Sequence, residues 1–64
     1  MKVYIEKENK HLKIKHKGNI NSLLLKLKLN SETVIVAKNN VLATGDEKLK
    51  DTDEIKIFSV ISGG

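Results

Sequence analysis

The stretch Asn19-Ile20-Asn21-Ser22-Leu23-Leu24-Leu25-Lys26-Leu27 decides the fold class. Ile20, Leu23, Leu24 and Leu27 recur at i, i+3, i+4 and i+7, the apolar stripe of one helix face. Asn19 stands where an N-cap belongs, with Asn21 as the alternative, because a short amide side chain can accept from the free amides of a first turn. The end of the segment, Leu25-Lys26-Leu27-Lys28-Leu29, also alternates as a strand would. Leucine and lysine are good helix formers and β-branched residues are missing, so the helix reading is preferred. Asn30 and Ser31 are expected to close it.

Strand patterns surround this single helix. Lys2-Val3-Tyr4-Ile5-Glu6 and His11-Leu12-Lys13-Ile14-Lys15 alternate about a polar turn, which predicts a hairpin with Val3, Ile5, Leu12 and Ile14 inward. His11 falls on the outer face and His16 on the inner, so the two rings point apart and no metal site is expected. Downstream, Thr33-Val34-Ile35-Val36-Ala37-Lys38 is rich in β-branched residues and apolar on both faces, which suits a strand that is either central or covered on both sides. Asn39-Asn40 tolerates positive φ and predicts a tight turn into Val41-Leu42-Ala43. Residues 44–54 read as an irregular acidic connection in which Leu49 plugs the core and Asp51 to Glu54 make a solvated turn. Ile55 to Ile61 is the last strand.

The order is strand, strand, helix, strand, strand, strand. One helix stripe can cover one face of one mixed sheet, which is an α+β two-layer architecture. Burying the long last strand beside the first gives the β-grasp, or ubiquitin-like, roll. The expected core is Val3, Ile5, Leu12, Ile14, Ile20, Leu23, Leu24, Leu27, Val34, Val36, Leu49, Ile55 and Ile57. The expected organisation is a β-grasp domain over 1–61 and a flexible Gly-Gly tail over 62–64.

Composition narrows the chemistry. The 64 residues carry no cysteine, so neither disulfides nor thiolate metal sites contribute. All twelve basic residues are lysine, and the net charge is +4. Residues 1–31 hold eight lysines and two acids, residues 32–64 four lysines and six acids. Without arginine, the better bidentate reader of phosphate and guanine, no nucleic-acid partner is expected. No apolar run nears the roughly 20 residues that span a bilayer, and Lys2 opens an alternating segment rather than a leader. A cytoplasmic chain, monomeric when free, is the expectation. There is no Ser/His/Asp set with supporting signals, no glycine-rich phosphate loop, and no calcium-loop spacing among the acids.

Gly63-Gly64 stands apart. Two terminal glycines by chance are roughly a one-in-200 coincidence at ordinary glycine usage. They follow a hydrophobic strand with no linker. Bare backbone can thread a narrow channel, and the reactive group is then the Gly64 main-chain carboxylate.

The run Asp53-Glu54-Ile55-Lys56-Ile57-Phe58-Ser59-Val60-Ile61-Ser62-Gly63-Gly64 resembles the end of the ubiquitin-like sulfur carrier family. That family includes the thiamin-pathway carrier, the small subunit of molybdopterin synthase and archaeal small modifier proteins. Ile20 to Leu27, Val34 to Asn39 and Leu49 to Asp53 match its helix, its central strand and turn asparagine, and its leucine-plus-turn element, in order. Asn40 and Thr52 stand where the family often has glycine, and Ser59-Val60 where one branch has two prolines.

The resemblance implies that an E1-like enzyme adenylates Gly64 with ATP. The acyl group then becomes a thiocarboxylate for thiamin, molybdopterin or transfer-RNA thiolation. The alternative is a protein modifier joined to target lysines through Gly64, and a third class is a plain β-grasp binding module. On the first reading the chain is a cosubstrate rather than an enzyme and keeps no cofactor; ATP belongs to the activating enzyme. Its partners are that enzyme and a sulfur-using synthase. Ser62, Gly63 and Gly64 form the tail for channel insertion. Phe58, whose parity opposes Ile55 and Ile57, joins Tyr4, Ile35 and Val60 as the expected partner-binding surface.

Overall fold

In the computed structural model, which describes residues 1–60, the capping pattern read at Asn19 starts the helix. Asn19 Oδ1 accepts from the Ser22 N–H at 2.9 Å, and Ser22 Oγ accepts in return from the Asn19 N–H at 3.1 Å. This reciprocal box satisfies two donors that a helix start leaves free. Asn21 lies inside the helix instead; its N–H donates to the Gly45 carbonyl at 2.9 Å, which ties the helix start to the chain after the second hairpin.

Along the chain run β1 (Lys2–Ile5), β2 (Lys10–Lys13), β3 (Gly18–Asn19), α1 (Ile20–Lys26), β4 (Val34–Lys38), β5 (Val41–Ala43), β6 (Lys48–Leu49) and β7 (Glu54–Ser59). Single 3-10 turns sit at Glu6–Glu8 and Ser31–Thr33. The main sheet has the order β2-β1-β7-β4-β5. β1 and β7 pair in parallel, with Val3 beside Ile55 and Ile5 beside Ile57. The other pairings are antiparallel. The last strand therefore lies at the sheet centre beside the first, as the β-grasp order requires.

The helix packs Ile20, Leu23 and Leu24 onto Val3, Ile5, Val36, Ile55 and Ile57, and Leu49 closes the layer. Leu12, Ile14, Leu27 and Val34, expected in the core, are only half-buried at its margin. They sit on the outer strand, the loop after it, the helix end and the first residue of β4, where neighbours cover one side only. Ala37 is buried although its parity faces away from the helix, because β4 lies between β5 and β7.

α1 ends earlier than Asn30. Lys28 turns left-handed at φ 60, Leu29 N–H donates to the Leu24 carbonyl at 2.9 Å, and Lys28 N–H donates to the Leu25 carbonyl at 3.1 Å. These two bonds are a Schellman stop, built here on a lysine where glycine is usual. Leu25 is left exposed and Leu29 packs on the core. The strand reading of residues 25–29 is thereby excluded.

Two further departures concern the acidic connection. It is not wholly irregular, because β6 pairs with β3 through Gly18–Leu49 and Asn19–Lys48 in a small second sheet. Nor is its turn fully solvated, because Asp53 is buried. The Asn39-Asn40 turn behaves as read: φ is 53 and 68, and Lys38 faces Val41 across a two-residue loop. No described helix is long and apolar enough to cross a membrane.

Candidate functional site

The tail residues Ser62, Gly63 and Gly64 lie outside the described residues, and so does Ile61. The structure does fix where the tail departs. β7 ends at Ser59, opposite Val34, two residues short of the expected strand end. The Val60 N–H then donates to the Thr33 carbonyl at 3.0 Å, which pins the last described residue to the 3-10 turn just before β4.

Next to that exit lies an apolar patch on the sheet face turned away from α1. Phe58 and Ile35 are direct cross-strand partners. Ile35 is 44% exposed and Val60 46%, while Phe58 is half-buried rather than fully open. Leu42, opposite Ala37 on β5, belongs to the same face and is 72% exposed. Sequence reasoning missed Leu42, although the signal was present. A two-residue Asn39-Asn40 turn fixes the Ala37–Leu42 pairing, and Ala37 shares parity with Ile35.

Tyr4 is on the same face but keeps other company. Its ring centroid is 4.6 Å from that of His11, and its hydroxyl donates to Asn9 Oδ1 at 3.1 Å. In β7 it faces Lys56, whose Nζ reaches Asn40 Oδ1 at 3.0 Å. Of the four residues nominated for partner binding, Ile35, Phe58 and Val60 thus adjoin the tail exit, and Tyr4 faces a separate groove over β1 and β2. His16 is elsewhere again, with Nε2 2.8 Å from Ser22 Oγ beside the helix cap.

The strongest polar network sits at the far end of β7 and braces the fold rather than the tail. Asp53 accepts from the Lys50 N–H at 2.8 Å and from Asn39 Nδ2 at 3.1 Å. Those two bonds, the backbone one first, hold its carboxyl below the ordinary carboxylate range against the opposing effect of burial. Asn39 Oδ1 in turn accepts from the Glu54 N–H at 2.9 Å, so one turn asparagine locks the β4–β5 hairpin to the start of β7. Lys38 Nζ pairs with Glu47 at 2.9 Å, a bond that raises the lysine's pKa.

The geometry offers Val60, the last described residue, just past the end of the central strand and beside an exposed apolar patch, with no assembled acid, base or nucleophile there among the described residues. Comparison with known proteins agrees with this picture. The sequence profile of the ThiS family matches residues 2–64. The sulfur carrier protein TtuB of Thermus thermophilus is 32% identical over 57 residues, spanning 89% of this chain and 88% of its own length. The crystal structure of the thiamine biosynthesis protein ThiS from Geobacter metallireducens matches over the whole of both chains with a TM-score of 0.68 at 24% identity, a likeness of fold. Fold order, tail sequence and profile together place the chain: it belongs to the ThiS family.

Proposed function

We propose that this chain is a sulfur carrier whose working group is the α-carboxylate of Gly64. The observation that carries the reading is the Gly63-Gly64 pair, separated by three residues from the end of the central strand of a ThiS-family β-grasp domain. A carboxylate is a poor acyl electrophile. An E1-like activating enzyme corrects this when a Gly64 carboxylate oxygen attacks the α-phosphorus of ATP and pyrophosphate leaves. A hydrosulfide ion then attacks the acyl carbon of the mixed anhydride, AMP departs with the anhydride oxygen, and a thiocarboxylate results.

The chain's part is to present an unobstructed end. Glycines at 63 and 64 put no side chain in the way of a narrow channel. Ile35, Phe58, Val60 and Leu42 form the surface that docks on the activating enzyme and aims the tail. The chain is a cosubstrate, not a catalyst, and ATP is bound by its partner. A sulfur-using synthase is the second partner. Conjugation to lysines would use the same chemistry, but the curated relative is named for sulfur carriage, which favours the carrier.

The test is ATP–pyrophosphate exchange with the cognate activating enzyme. Deleting Gly64 moves the carboxylate about 3.3–3.6 Å short of the activating site. Exchange should fall to background while urea unfolding stays unchanged. Equal exchange by the truncated chain would refute the reading.

A further inference from the structure

A groove lies on the same sheet face, over β1, β2 and the first half of β7. Its volume is about 760 Å³, and its walls are two cross-strand rows. One row is Lys13, Lys2 and Glu54; the other is His11, Tyr4 and Lys56. The floor is backbone at Val3, Leu12 and Ile55, residues whose side chains belong to the helix-facing side.

The charge arrangement in the first row breaks a sheet rule. Lys2 and Lys13 are direct cross-strand partners and both are exposed. Like charges in that position destabilise a ladder. Neither ammonium has an ion-pair partner among the described residues, where the one salt bridge is Lys38–Glu47. Glu54 faces Lys2 in the parallel register but makes no ion pair with it. The second row places the stacked Tyr4 and His11 rings beside these free cations. Glu54 offsets this conflict from the Lys2 side only, and Lys13 on the edge strand is left with a like charge across from it, which points to a compensation from outside.

We propose that this groove binds an extended acidic segment of a partner protein, with carboxylates on Lys2 and Lys13 and an apolar side chain against Tyr4 and His11. A peptide suits it better than nucleic acid. A nucleic acid carries a charge at every residue and meets Glu54 on the rim, whereas a peptide can place its carboxylates over the two lysines alone. The groove is separate from the Ile35–Phe58–Val60 patch, so the inference stands or falls apart from the sulfur-carrier reading.

The experiment is an amide chemical-shift titration of the ¹⁵N-labelled full chain with a blocked peptide alternating glutamate and leucine. A glutamine-for-glutamate peptide and an oligothymidylate serve as comparisons. Saturable shifts confined to Lys2, Tyr4, His11, Lys13 and their strand neighbours are expected, weakening with salt and absent with the glutamine peptide. Lys13→Glu should weaken binding about tenfold or more. The same variant should raise the urea midpoint of the free protein, since charges along its row then alternate. Equal binding of the glutamine peptide, shifts spread over all lysine-bearing segments, tighter binding of the oligothymidylate at the same residues, or a lowered midpoint in Lys13→Glu would each overturn the proposal.

Discussion

Adjacent leucines in α1 offer a sharp test of the packing. Leu24 is 3% exposed and belongs to the core, whereas Leu25, the next residue, is 77% exposed. Leu24→Ala removes the transfer energy of the lost methyl groups and leaves a cavity between helix and sheet, a loss of about 2–5 kcal/mol. A domain of this size has about 3–10 kcal/mol in total, at the usual stability per residue. The variant should therefore lose at least about a fifth of that total, and all of it at the upper end of the loss. Leu25→Ala removes the same atoms from solvent-facing surface and should change stability by no more than about 0.5 kcal/mol. Urea unfolding followed by far-UV circular dichroism measures both, since the chain has no tryptophan. A strand over 25–29 would put Leu25, Leu27 and Leu29 on one face and reverse the ranking. Equal losses for the two variants, or a Leu24→Ala loss under about 0.5 kcal/mol, would refute the helix packing.

Three further outcomes follow from the geometry. Lys28→Gly should raise stability by about 0.5–1 kcal/mol, because glycine adopts the left-handed φ of the Schellman stop without the Cβ penalty; a fall in the urea midpoint would contradict that stop. Asp53→Ala should cost about 1.5–3 kcal/mol by orphaning the Lys50 and Asn39 donors. The wild-type Asp53 contribution is full above the ordinary carboxylate value of about 3.9 and is lost as pH falls through its lowered folded value, so the variant should show a flatter acid limb in stability against pH. Phe58→Ala should leave the fold intact and weaken binding to the activating enzyme by about 1 kcal/mol or more, read by calorimetry; unchanged affinity would remove the patch from the docking surface.

Where the information is local, the sequence was readable. The i, i+3, i+4, i+7 stripe with Asn19 before it specified α1, and two asparagines in a row specified the β4–β5 turn. The alternation of β1 and β7 set which side chains meet the helix. Features that depend on a distant partner were not visible. β3 and β6 are two residues each, too short for any period, and exist only because they pair with one another. Asp53 looked like one acid among five until Asn39, fourteen residues earlier, supplied a donor. The early helix stop rests on a left-handed lysine, a residue type that gives no such signal. For the site, parity placed Phe58 and Ile35 on one face. Tyr4 was drawn to β2 by the His11 stack, which strand parity alone does not reveal.

The central claim is that Gly64 carries sulfur, and the most direct measurement is the intact mass of the chain purified from its native cell. The account predicts a population heavier by one sulfur-for-oxygen exchange. Oxidation of Met1, the one methionine, adds nearly the same mass, so the sample is also treated with a thiol-directed alkylating reagent. With no cysteine in the chain, the heavier species should take up one alkyl group, and fragmentation should place it at Gly64. A chain that remains at its unmodified mass and refuses the reagent while its pathway is active, or one recovered only as isopeptide conjugates through Gly64, would contradict the account.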